Sequence, residues 1–169
     1  MFRSMRRTAQ QLPQEETEQL LGSATSGVLA LLGEDGYPYA VPLSHLYRSG
    51  KLYFHCAMEG HKIDAIRQHD KASFCVVAQD KVVPEDFTTH YRSVIAFGRI
   101  RIVEDEVEKR ATITALAERF SPGIDPRKAI DGAMGHMHIL ALEIEQLTGK
   151  EALALAQTRT QGTDGSVGE

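Results

Sequence analysis

Apolar and polar positions alternate with a period of two over several stretches of the chain, and turn signals separate the first of them. Val28-Leu29-Ala30-Leu31-Leu32 is an apolar run of strand length, and Glu34-Asp35-Gly36 follows it as a hairpin turn signal. Tyr37, Tyr39, Val41, Leu43, His45 and Tyr47 then fall on one face of a second strand. Ser49-Gly50 turns the chain into a third strand, Leu52 to Ala57. Strands in direct succession with tight turns predict an antiparallel meander. Lys71 to Val83 reads as a fourth strand ended by Pro84, and Tyr91 to Val103 as a fifth. His136 to Leu147 alternates again and predicts the last.

Helical signals sit between these runs. Pro13 with Gln14-Glu15-Glu16 predicts a helix start, running to Leu21 with Gly22 at its end. Ile63 and Ile66 mark a short helix with both facing inward. Asp105 to Arg119 predicts a longer helix with Val107, Ile113, Leu116 and Phe120 as its apolar stripe. Ser121 to Ala129 reads as a loop with one helical turn. The tail from Gln157 has no core residue beyond Val167 and is expected to be disordered. Runs of strands, rather than strict alternation with helices, argue against a doubly wound sheet. The expectation is one mainly β (β+α) domain over residues 1–156, with a tail over 157–169. About six antiparallel strands with peripheral helices predict a closed or nearly closed barrel, which leaves few bare sheet edges.

Composition narrows the function classes. At 169 residues, 42% hydrophobic and 25% charged, the chain is long enough for one core without disulfide or metal staples. The net charge of −4 supplies no basic field for nucleic acid. No run approaches the length of a membrane span, and the arginines near the N-terminus precede no apolar stretch, so neither a membrane partner nor a secretory signal is expected. Cys56 and Cys75 lie inside expected strands and form no CxxC, which fits reduced, buried thiols and a cytoplasmic protein. No nucleophile elbow and no Cys–His constellation is visible, so nucleophilic hydrolysis is not expected.

The most informative stretch is LYFHCAMEGHKIDAI, where a strand hands over to a helix. The first turn of a helix leaves backbone N–H groups without partners, and its dipole favours an anion. Gly60 permits close backbone approach, Lys62 supplies a point charge and His61 a donor or second charge. These features fit a phosphate monoester, with Asp64 as a mild competitor. From spacing alone they fit better an ordinary surface helix start with a solvated lysine.

The neighbouring motifs extend this. YPYAVPLSH, LYFHCAMEGHK and LTGKE occur in that order, with KASFCVV, YRSVIAFGRIRIV and a long helix between the last two. The chain from about Met5 to Ala156 resembles the FMN-binding split-barrel superfamily, and within it the pyridoxamine 5′-phosphate oxidase-related, nitroimidazole-resistance branch. The resemblance implies a six-stranded antiparallel split barrel, a homodimer, and two FMN molecules in clefts contacted by both subunits. It places Val41, Pro42, Leu43, Ser44 and His45 beside the flavin ring. Tyr53, Phe54, His55 and Ala57 come under the ring and ribityl chain, and Gly60, His61 and Lys62 at the phosphate. His61 stands where the oxidase has arginine, which removes a bidentate donor. Arg92 and Ser93 match an Arg-Gln pair, with Ser93 departing from it, and Lys150-Glu151 matches a terminal motif that reaches the partner's cleft. The oxidase's C-terminal substrate-binding segment is missing, so pyridoxamine phosphate oxidation is not expected.

Several polar residues carry two readings. His45 is either a hydrogen-bonded buried histidine or a donor beside the flavin, and His55 faces either the core or the ribityl channel. His136 and His138 share a face if both are on a strand, yet two ligands are too few for zinc, and no metal is expected. Arg99, Arg101, Lys109 and Arg110 read as solvated charges, the first two also able to attract an anion. The tyrosine-rich strand and Phe97 are the candidate dimer surface. Together these features predict an FMN-dependent oxidoreductase passing electrons from NAD(P)H to a quinone or nitroaromatic. The alternative is a non-catalytic carrier of flavin, deazaflavin or haem, with His45, His136 and His138 as candidate axial ligands.

Overall fold

A computed structural model describes residues 2–164. Strands β1 (Ser26–Leu32), β2 (Pro38–Ser44), β3 (Leu46–Arg48) and β4 (Lys51–Ala57) precede the long hairpin of β5 (Lys71–Val83) and β6 (Thr88–Ile102), and β7 (Met137–Glu151) comes last. They form one antiparallel sheet of seven strands in the order β2-β1-β5-β6-β7-β4-β3. Six strands were expected, and the extra one arises at His45, which splits the predicted second strand in two.

That break defines the architecture. β2 and β3 lie at opposite ends of the sheet, yet only His45 separates them. One residue joins both edges only if the sheet curls until the edges meet. The β3–β4 ladder pairs Leu46 with Tyr53 and Tyr47 with Leu52. Continued backward, it would set Ser44 against His55 and Pro42 against Ala57. Instead β2 turns away to pair with β1, with Pro42 opposite Val28. The barrel is therefore split, with a seam between β2 and β4.

The alternation seen in the sequence sorts side chains as expected. Leu29, Leu52, Phe54, Phe74, Leu140 and Leu142 are fully buried inside the barrel. Tyr39, Val41, Leu43 and Tyr47 pack inward beside them, whereas Tyr37 precedes the strand and is 74% exposed. The tyrosine-rich face is thus turned toward the core. Helix α1 (Gln14–Ser23) covers one end with Leu21 fully buried. It lies so close to Gly149 that a Cβ there would sit 2.3 Å from Thr17 Oγ1. Helix α2 (His61–Gln68) brings Ile63, Ala65 and Ile66 into the core.

Helix α3 (Glu106–Phe120) lies outside the sheet, capped by the Asp105 carboxylate, which accepts from the Glu108 amide at 2.7 Å. Its buried face differs from the expected stripe. Leu116 is buried and Ile113 partly so, but Val107 is 78% exposed and Phe120 lies at the surface. Lys109 and Thr112 are buried instead. Lys109 achieves this because its stem packs while its ammonium donates to the Met134 carbonyl at 2.7 Å. Arg110 is paired with Asp131 of α4 (Arg127–Ala133) at 2.7 Å, a full helix where one turn was expected. Helix α5 (Leu153–Asp164) occupies part of the segment expected to be disordered, while Val167 lies outside the described residues. Among the described residues no helix is long and apolar enough to cross a membrane.

Candidate functional site

The turn from β4 into α2 is built on Gly60, whose φ of 115° and ψ of 170° suit glycine alone. A Cβ there would meet nothing within 4 Å, so the dihedral and not crowding demands glycine. The first helical bonds run from the Ile63 and Asp64 amides to the Gly60 carbonyl at 2.8 and 3.2 Å. The amides of His61 and Lys62 make no hydrogen bond among the described residues. Lys62 has no carboxylate partner there either. Asp64, the expected competitor, is turned to Arg67 at 3.7 Å. The His61 ring stacks on Tyr39 with centroids 4.2 Å apart and planes 26° apart. The corner therefore holds two open amides, one unpaired cation and a fixed imidazole.

The seam residues divide by face. Pro42 and Ser44 on one lip and His55 and Ala57 on the other are exposed. Val41 and Leu43 pack inward, so they offer the seam only their backbone. Phe54 is fully buried. Tyr53 points to the opposite side of the sheet, under α3, and its hydroxyl donates to Glu108 at 3.3 Å. Burial, then the Glu108 charge, pushes its phenol up, so it remains a donor. Neither the Tyr53 nor the Phe54 side chain lies under a ligand in the seam, because strand alternation sends each into a packed layer.

His45 is likewise core. It is fully buried, its Nε2–H donates to the Leu21 carbonyl at 2.8 Å, and its ring meets the edge of Phe74 at 4.8 Å. Its Nδ1 has no hydrogen-bond partner among the described residues. With Nε2 committed the ring has no second N–H to donate beside a flavin, and its full burial keeps the remaining Nδ1 lone pair from reaching a ligand in the seam. His136 sits in a 3-10 turn and His138 on β7, so the pair does not share a strand face. Among the described residues no cluster of three metal-ligating side chains occurs.

Burial lowers the His45 pKa from its ordinary 6.5; the Leu21 bond opposes this and the nearby Arg119 charge adds to it. The folded state thus holds this proton less tightly than the unfolded chain. His45's contribution is complete above the unfolded pKa and is lost as pH falls through it toward the folded one. Between about pH 7 and 5 the wild type is expected to lose more melting temperature than His45→Asn, which does not titrate. Parallel melting curves of the two proteins would remove His45 as the cause.

Arg92, Ser93 and Lys150 form a second group. Ser93 pairs with Lys150 and Arg92 with Glu151 across β6 and β7. Lys150 Nζ lies 5.6 Å from the centre of the Tyr91 ring. Arg92 Nε bonds Glu151 Oε2 at 3.2 Å. Glu151 is fully buried, which puts it beyond a partner's reach. Arg99 and Arg101 are not free for an anion: Arg99 pairs with Asp70 and Glu145, and Arg101 with Glu108 and Glu143.

The two groups do not meet within one chain. Val28, Cys75, Ile95 and Thr148 share one row across the sheet, and continuing two residues sets Ser26 level with Val77, Ser93 and Lys150. The Gly60 corner lies at the other end of β1, where a Cβ on Gly33 would sit 3.2 Å from His61 Nε2. Leu32 is six residues beyond Ser26, about 20 Å along the strand.

Residues 13–151 match the sequence profile of the family described as pyridoxamine 5′-phosphate oxidase. The chain belongs to the pyridoxamine 5′-phosphate oxidase family. No curated protein matches it. Among solved structures it is similar to the FAD- and heme-binding protein of Mycobacterium smegmatis, at 25% identity and TM-score 0.71, covering 85% of this chain and 73% of that one. An FAD-binding protein of Mesorhizobium loti is also 25% identical, at TM-score 0.59, with 84% and 96% covered. A candidate 5-nitroimidazole antibiotic resistance protein of Bacteroides thetaiotaomicron shares the fold at 21% identity and TM-score 0.71, with 83% and 86% covered. Within this oxidase family fold, the sequence motifs did not reveal the Tyr39–His61 stack or the buried position of Glu151.

Proposed function

We propose that the chain is a flavin-dependent oxidoreductase that works as a homodimer. It holds FMN between the Gly60–Lys62 corner of one protomer and the Arg92, Ser93 and Lys150 edge of the other. The observation that carries this reading is the corner: two open amides and a cation without a carboxylate partner, at a helix start that requires glycine. That donor set fits a phosphate monoester. The separation of the two groups supports a second copy as the supplier of the far edge. So does the outer sheet face, where Val28, Val77, Ile95 and Phe97 are exposed across β1, β5 and β6. Similarity to FAD-binding proteins supports a flavin.

A bound flavin supplies two-electron chemistry, taken here from NADH or NADPH and passed to a quinone or nitroaromatic. The chain's own task is to bind and orient. Lys62 and the His61 and Lys62 amides neutralise the phosphate, and Tyr39 fixes the His61 ring beside it. Pro42 and Ser44 border the seam, and the apolar outer face excludes water when a second copy covers it. Burial raises the Cys56 thiol pKa, with Lys62 opposing, and raises that of Cys75. Both thiols are unpaired, in keeping with a cytoplasmic setting.

The freshly purified protein is expected to be yellow, to release FMN on extraction, and to bleach under NADH or NADPH with colour restored by a quinone or nitroaromatic. A colourless protein that takes up no added FMN would overturn the reading. Extraction of haem or a deazaflavin would assign a carrier instead.

A further inference from the structure

Glu151 is a carboxylate with no exposure, held between two arginines from different elements. Its Oε2 accepts from Arg92 Nε at 3.2 Å and its Oε1 from Arg159 Nε at 2.8 Å. Arg92 comes from β6 and Arg159 from α5. Burying an ion cluster gains little stability over apolar packing of the same volume, so stability alone does not account for it. The geometry has another consequence. Arg92 is anchored at Nε and also lines a cavity of about 330 Å³ together with Glu16, Gln19, Leu20 and Ser23. With Arg159 on Oε1, Glu151 meets Arg92 through Oε2 alone.

We propose that Glu151, shared with Arg159, is a positioning residue that presets the Arg92 guanidinium for the flavin phosphate. This rests on the flavin reading above, in which Arg92 serves the site of the second protomer. The anchored side chain keeps donors for the phosphate and loses little rotamer freedom on binding. The C-terminal helix thereby takes part in cofactor affinity without touching the cofactor.

The test compares FMN with riboflavin, which lacks the phosphate, on the intact dimer. Glu151→Gln is expected to shrink the FMN-over-riboflavin affinity ratio about fivefold, because Arg92 loses its charged anchor. Arg159→Met is expected to shrink it similarly, because Glu151 is then free to engage Arg92 through both oxygens; Arg159→Lys should restore part of the ratio. A purely structural role would change both affinities together or lower only the melting temperature. An unchanged ratio in folded dimers of both variants overturns the inference. A raised ratio does so too, since Glu151 would then merely compete with the phosphate. If the wild type binds FMN while the variants keep its ratio, only this inference falls. If the wild type binds neither flavin, the flavin reading falls with it.

Discussion

Lys62→Ala is expected to weaken FMN binding between about tenfold and a hundredfold while leaving riboflavin binding nearly unchanged. The range is that of a charge-assisted hydrogen bond lost to a phosphate. The fold should survive, because Lys62 is half-buried and, among the described residues, holds no hydrogen bond or ion pair that the truncation would orphan. Its charge acts on the Cys56 thiol, where it opposes the effect of burial. The His61 and Lys62 amides remain, so binding should weaken and not vanish. Titration of apoprotein followed by flavin fluorescence measures both affinities. Equal loss for FMN and riboflavin would show that Lys62 shapes the seam and not the phosphate seat.

Ile95→Glu should produce a folded monomer that no longer retains FMN. Ile95 stands mid-strand on the outer face, in the row with Val28, Cys75 and Thr148. It is 39% exposed in the single chain, so glutamate there is tolerated by a lone protomer. In a dimer that buries roughly 2,000 Å² or more in total, the same charge is trapped without a partner at a cost of several kcal/mol. Loss of the second copy removes Arg92, Ser93 and Lys150 from each corner, so flavin should leave with dimerisation. Sedimentation at micromolar concentration reads the assembly and absorbance at a flavin band reads the cofactor. A wild type that sediments as a monomer, or a variant that stays dimeric and yellow, would refute the arrangement.

The barrel was legible because strand alternation is strong where one face is core. β5 starts and ends at Lys71 and Val83, as the pattern predicts. His45 was not legible as a strand break, because an unbroken period of two runs through it from Tyr39 to Tyr47. The α3 stripe misled because the helix is weakly amphipathic and a lysine with a carbonyl partner can replace an apolar side chain. The corner at Gly60 stood out since glycine beside a lysine at a strand end has a local physical cause. Tyr53 and Phe54 were drawn to the site by motif position, whereas the pleat sends one under α3 and the other into the core. Arg159 could not be found, because its role depends on a contact eight residues back on the far side of a turn.

The unzipped stretch between β2 and β4 leaves peptide groups on both lips that no neighbouring strand satisfies. A guest gripped by peptide groups senses the path of the chain and not the identity of its side chains. Substitution along Val41–Ser44 can then drift widely, provided the inward residues still fill the barrel.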